Sequence, residues 1–179
     1  AFVPVTEEIL AEVVLASSQA SVTFSSLDTL AAGYQHLQIR AVSRNDRNVA
    51  YTLGDVFLRV NGATSGYYSH FLRGNGSTVT SVGYSTFGMV AYTNPSDPAP
   101  ANIFAGAVID ILDPFSSSKN TTMRSLAGVH TGGTGTGDDN ITELYSGLYN
   151  ATTAVSSLQL VADNGNLLAG SRFTLIGLR

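Results

Sequence analysis

Cysteine is absent from this chain, which excludes a disulfide framework and a thiolate metal site. Charge is scarce too. Charged residues make up 12% of the 179, about half the usual share, and Lys119 is the only lysine. The surface must therefore be built from Ser, Thr, Asn, Gln and Gly, which implies that sister subunits or a larger assembly cover part of it. A net charge of −4 excludes the basic face of a nucleic-acid binder. No apolar run approaches the roughly 18–20 residues of a membrane helix. The N-terminal AFVPVTEEIL has no basic stretch of the kind that opens a secretory signal. Ala1 reads as the residue left when an initiator Met is removed from a chain made in the cytoplasm. The length suits one domain that buries roughly 70% of its unfolded surface.

What is present is alternation. FAGAVIDILD, from Phe104 to Asp113, is apolar almost throughout and stops at Pro114. Ile103, Ala105, Ala107, Ile109 and Ile111 fall on one side, with Phe104, Gly106, Val108 and Leu112 on the other, which predicts a central strand covered on both faces. Its β-branched content and short length argue against a helix. Ser21–Leu27, His36–Ser43, Asp55–Val60, Tyr67–Arg73, Thr121–His130, Glu143–Tyr149, Val155–Ala162 and Arg172–Leu178 read as further strands. Leu30–Gly33 is a turn or single helical turn, and Asn61-Gly62 suits a tight turn. Asp163-Asn164-Gly165-Asn166 joins two of the closing strands. The polar run Arg44–Asn48 reads as a loop, and residues 77–100 as a long loop or a pair of irregular edge strands. Residues 1–19 form an N-terminal arm or edge strand, with a short amphipathic helix as the competing reading. Eight to ten short strands without a long helix predict an all-β, antiparallel β-sandwich or jelly roll, as a single domain over residues 20–179.

Few residues suggest chemistry. His36, His70 and His130 have no metal-ligand spacing and read as surface or interface residues. No GxSxG marks a nucleophile. The loop TGGTGTGDDN at 131–140 has adjacent carboxylates but not the alternating pattern of a Ca²⁺ loop, so it reads as a flexible tip. Asp110, if buried, needs a partner such as Arg124 or Arg73. Tyr67, Tyr68, Tyr84, Tyr92, Tyr145 and Tyr149 carry rings with polar tips, suited to stacking on sugars, to interface anchoring or to the edge of a core. Asn-x-Ser/Thr triplets begin at Asn75, Asn120, Asn140 and Asn150, and in a chain this rich in Asn, Ser and Thr they read as coincidence.

Several segments recur in a familiar order. SVTFSSL at 21–27, HLQIR at 36–40, FLRVNGATSGYYSHFLRGNGS at 57–77, VIDILD at 108–113, MRSLAGV at 123–129 and residues 146–179 resemble a family of small structural proteins of tailed bacteriophages. The resemblance covers roughly residues 20–179. Ala63 stands where the family has a turn Asp, Pro114-Phe115 displaces an aromatic, and residues 1–19 match less well. The resemblance implies a non-enzymatic β-sandwich protein of the virion, with no catalytic residue, cofactor or metal. Within it the first expectation is a capsid decoration, or cement, protein on the outer head surface, as a homo-oligomer with a trimer favoured. Its arm would attach through Phe2, Val3, Val5 and Ile9. The alternative is a tail-fibre or knob module that recognises host surface glycan through Tyr67 and Tyr68. An esterase or glycosidase using His70 and Asp110 is the third reading.

Overall fold

The computed structural model describes residues 6–47, 53–86, 88–132 and 140–179. Phe2, Val3 and Val5, and most of the 131–140 segment, lie outside the described residues. The described chain is an antiparallel β-sandwich. Its strands are β1 (Glu7–Val14), β2 (Ser21–Phe24), β3 (His36–Ser43), β4 (Leu53–Val60), β5 (Tyr67–Gly74), β6 (Val79–Thr86), β7 (Met89–Pro95), β8 (Ala105–Leu112), β9 (Thr121–His130), β10 (Asn140–Tyr149), β11 (Leu158–Ala162) and β12 (Arg172–Leu178), with one helical turn, α1 (Leu27–Leu30).

Eight strands form a large sheet in the order β1-β12-β3-β8-β9-β10-β5-β6, and four form a small one in the order β2-β11-β4-β7. The N-terminal segment is thus an edge strand, paired on β12 through Glu7–Val14. The expected irregular pair between residues 77 and 100 is real, and it is split: β6 closes one edge of the large sheet while β7 closes an edge of the small one.

The core follows from period-two alternation. Leu37, Ile39 and Ala41 on β3, Ala107, Ile109 and Ile111 on β8, and Met123 and Ala127 on β9 all point at the small sheet. They meet Val56, Leu58 and Val60 of β4, Leu158 and Leu160 of β11, and the fully buried β7, whose seven residues are covered on both sides. Gly147 of β10 lies close under Met89 of β7. A Cβ there would lie 2.5 Å from Met89 Sδ, so any larger residue requires the Met89 side chain to move.

Three expectations need correction. β8 is central, fourth of eight, but only one of its faces is covered: Gly106 and Val108 look outward, with Val108 37% exposed. The small sheet stops at one layer, so the outer side of the large sheet has no second cover among the described residues. Asn61 and Gly62 do adopt positive φ (51° and 70°), as a tight turn requires. The strands they join nevertheless lie in different sheets, because the chain crosses the sandwich between β4 and β5. Likewise β11 and β12, read as neighbours across the 163–166 turn, belong to opposite sheets. The polar run from Arg44 is a loop, but its first two residues are buried. The Arg44 guanidinium donates to the carbonyls of Pro100 (2.5 Å), Ser96 (3.0 Å) and Ala99 (2.6 Å), and Asn45 Nδ2 donates to Asn94 Oδ1 (2.8 Å), pinning the 96–103 segment to β3.

Candidate functional site

The outer side of the large sheet divides into two parts. Over β1, β12 and β3 it is laced by charge: Arg40 reaches Glu7 at 3.5 Å, and Arg172 reaches Glu12 at 3.0 Å. Over β8, β9, β10 and β5 one row across it is apolar. Strand register places Val108 opposite Leu126, Leu126 opposite Leu144, and Leu144 opposite Leu72. These four residues form one unbroken cross-strand row, and they are 37%, 59%, 50% and 51% exposed. Side chains directly opposite on neighbouring strands touch, so the row is a continuous ridge rather than four scattered apolar residues. Arg40 ends it on β3 and Ser81 ends it on β6.

The rows on either side differ in kind. On one side lie Val42, Gly106, Gly128, Thr142, Gly74 and Val79, mostly small residues that leave the ridge proud. On the other lie Gln38, Asp110, Arg124, Ser146, His70 and Gly83. Asp110 does find Arg124, whose Nε donates at 2.9 Å, and Gln38 Nε2 donates to it at 2.9 Å. The pair sits on the outer face and not in the core, so it organises the surface and contributes little stability. His70 lies beside Ser146, but Asp110 is three strands away, roughly 14 Å at the usual strand spacing, so these residues do not assemble as a nucleophile, base and carboxylate. His36 instead accepts from the backbone N–H of Asp113 at 3.0 Å, at the start of β3. The Lys119 ammonium bonded to Asp113 holds that carboxyl below the usual carboxylate range. His130 accepts from the Gly132 N–H. Among the described residues no group of three or more ligand side chains could hold a metal ion, and no helix is long and apolar enough to cross a membrane.

The two tyrosines expected to act together are separated by strand parity. Tyr68 is 54% exposed, at the rim of a shallow depression of about 500 Å³ that it shares with His70, Thr122, Ser146 and Leu148. Tyr67 is 1% exposed and faces the core, stacked on Tyr149 at 4.9 Å, with its hydroxyl accepting from the Val60 N–H at 2.7 Å. Burial pushes its hydroxyl up to about 12. Tyr67 is therefore a tether between β4 and β5, with no surface left to meet a partner. Ile9 is 66% exposed on the edge strand β1.

Behind the apolar row, on the inner side of the same strands, lies a buried charge that sequence reading gave no role. Glu143 is 1% exposed and accepts from Arg73 Nε (2.6 Å), Thr93 N (3.0 Å), Thr93 Oγ1 (2.8 Å) and the Tyr145 hydroxyl (3.1 Å). Asp55 of β4 approaches the same Thr93 hydroxyl at 3.1 Å. Burial raises the Asp55 pKa, with the Glu143 charge adding to it. One hydroxyl proton serves one of the two carboxylates at a time. Burial, again helped by Glu143, also raises the Tyr145 hydroxyl. With four donors on one carboxylate, this cluster is a satisfied cross-link between the sheets. The signal for it was in the chain: in ITELYSG, Glu143 shares the inward parity of Ile141 and Tyr145.

No family model matches the chain, and no curated protein matches it. Among solved structures it is similar to a NanB–Optactamide complex, at 13% identity and a TM-score of 0.35, covering 94% of this chain and 26% of that one. It is similar also to HCR/D-Sa-GBL1/C (11%, TM-score 0.32, 98% and 42% covered). A third is a botulinum neurotoxin type C structure from work on cell entry through two ganglioside molecules (11%, TM-score 0.25, 96% and 42% covered). The chain spans about a quarter of the first structure and about two fifths of the other two. Likenesses this distant carry no argument about what this chain does.

Proposed function

We propose that this chain is a non-enzymatic assembly protein of a tailed-phage virion that decorates the outer surface of the head. The observation that carries the reading is the apolar row Val108–Leu126–Leu144–Leu72, set on a face with few charges. Leucines half exposed in the middle of a sheet are what a surface covered in the assembled state looks like. The scarcity of charge across the chain points the same way, as does the resemblance of residues 20–179 to tailed-phage structural proteins. A decoration protein acts by many repeated weak contacts, and a rigid sandwich presenting one flat face suits that task. The edge strand β1, with Ile9 exposed, offers a second contact line for attachment.

A second reading has its own observation. The depression around Tyr68 and His70 combines an aromatic rim with hydroxyls from Thr122 and Ser146, a composition that suits a sugar ring. On that reading the chain is a receptor-binding module of the tail, and host glycan is its ligand.

Copy number separates the two. Quantitative mass spectrometry of purified virions against the major capsid protein should give hundreds of copies per particle for a head decoration. A dozen or a few dozen copies would favour the tail reading, and absence from the particle would overturn both.

A further inference from the structure

We infer that the open face of the large sheet is a two-fold self-association surface whose occupant is a second copy of this chain, stacked row on row. The inference rests on the reading of this face as an assembly surface and adds the partner and its register.

Size is the first support. The six strands β3, β8, β9, β10, β5 and β6, each about eight residues long, tile roughly 800 Å² at ordinary strand spacing and rise. That is about one partner's share of a standard specific interface.

Complementarity is the second support. A two-fold axis running parallel to the strands, between β9 and β10, exchanges β8 with β5 and β3 with β6. Val108 then meets Leu72 of the second copy, and Leu126 meets its Leu144, so the ridge is apolar against apolar along its whole length. In the neighbouring row the same operation sets Asp110 against His70 of the second copy, an acceptor against a ring that donates an N–H. Arg124 meets a serine, Ser146, and Arg40 meets Ser81, so no charged side chain faces one of the same sign. The outermost positions of the glycine-rich row, Val42 and Val79, are 48% and 73% exposed and meet each other.

The other face-to-face two-fold, with its axis along the ridge, lays the Asp110–Arg124 pair over Gly106 and Gly128 and buries it with no polar partner across the interface. Of the two, only the first arrangement gives each of these three rows a matching partner. It is isologous, so it closes at two copies, with the sheets about 10 Å apart as in a sandwich core.

Sedimentation equilibrium of the full chain should show a dimer. Leu126→Glu should weaken it roughly a hundredfold, because a carboxylate is then desolvated against Leu144 of the second copy. Leu126→Thr should weaken it less. Circular dichroism of both variants should match the parent, and so should their thermal midpoints at concentrations where the parent is monomeric, since the position is solvent-facing in the monomer.

Register is tested with cysteines, which the chain otherwise lacks. A mixture of Val108→Cys and Leu72→Cys chains should be joined by a short bis-maleimide. Val108→Cys alone should not, because its two copies would lie roughly 14 Å apart along the sheet.

A monomer at every concentration, a trimer, or joining of position 108 to itself would overturn the two-fold inference. If the chain is monomeric but Leu126→Glu abolishes incorporation into virions, the assembly-surface reading stands and the self-association fails. If the dimer forms in the stated register while Leu126→Glu virions keep their full copy number, the reverse holds.

Discussion

Glu143 and Leu144 are consecutive residues of β10, and each is on the side of the sheet where the other would ordinarily be: the glutamate is 1% exposed and the leucine 50%. The same inversion repeats in register on β5, where Arg73 turns inward to Glu143 and Leu72 turns outward to Leu144. The two anomalies differ in whether the chain resolves them. Glu143 has four donors on its oxygens within 3.1 Å, so its burial is explained by its own fold. Nothing within the described chain covers Leu144 and its row. An anomaly resolved internally is architecture, whereas one left open points outward to a partner.

The sharpest way to break this comparison is to remove the charge. Glu143→Ala should destabilise the fold by about 3–5 kcal/mol, because Arg73 and the Thr93 N–H lose their shared acceptor inside the sandwich. Urea denaturation measures it, and a loss below about 1 kcal/mol would show that the cluster is not a cross-link. Replacing both charged partners, Arg73→Met with Glu143→Leu, should recover only part of the loss: no charge is left unpaired, but the Thr93 N–H and the Tyr145 hydroxyl still lack their acceptor. Tyr67→Phe comes next in size. It strips the acceptor from the buried Val60 N–H and should cost about 1–3 kcal/mol in the same assay.

Asp55 supplies a change that depends on pH. Its folded-state pKa is raised by burial, so the stability it contributes is present at acidic pH and is lost as pH rises through the folded value. Thermal midpoints of the parent and of Asp55→Asn, compared from about pH 4 to pH 7, should therefore diverge in favour of the asparagine variant as pH rises. A constant gap would contradict this. The smallest effect on stability belongs to the outer row, where Leu144→Thr should shift unfolding of the monomer by about 1 kcal/mol or less. The comparison fails if Leu144→Thr destabilises as much as Glu143→Ala.

Much of this architecture was legible in the alternation of the chain. His36–Ser43, Thr121–His130 and Arg172–Leu178 are strands to the residue, because one face of each is buried and period two then reads cleanly. FAGAVIDILD misled for the complementary reason. An outward face bearing Val108 and Gly106 looks in sequence like a second buried face, whether a second layer of the fold or another molecule covers it. The tyrosine pair failed on parity: adjacent residues on a strand point to opposite sides, and Phe71, packed on Tyr145 inside the sandwich, fixes which side takes Tyr67. Glu143 was missed because its partners Arg73 and Thr93 lie 70 and 50 residues away. Pairings over that distance are set by the neighbouring of β10 and β5 in the large sheet and by the packing of β7 of the small sheet against them, which no local pattern reveals. The same holds for the apolar row, whose four members come from four strands and read individually as ordinary alternating leucines and a valine.

The most direct test of the central claim, that the outward row and not the inward charge meets the partner, is the copy number of Leu126→Glu chains on virions relative to the parent chain, with the thermal midpoint measured in parallel. Incorporation should fall at least tenfold, with the midpoint unchanged at a protein concentration where the parent is monomeric. Full incorporation of a normally folded Leu126→Glu chain would contradict it.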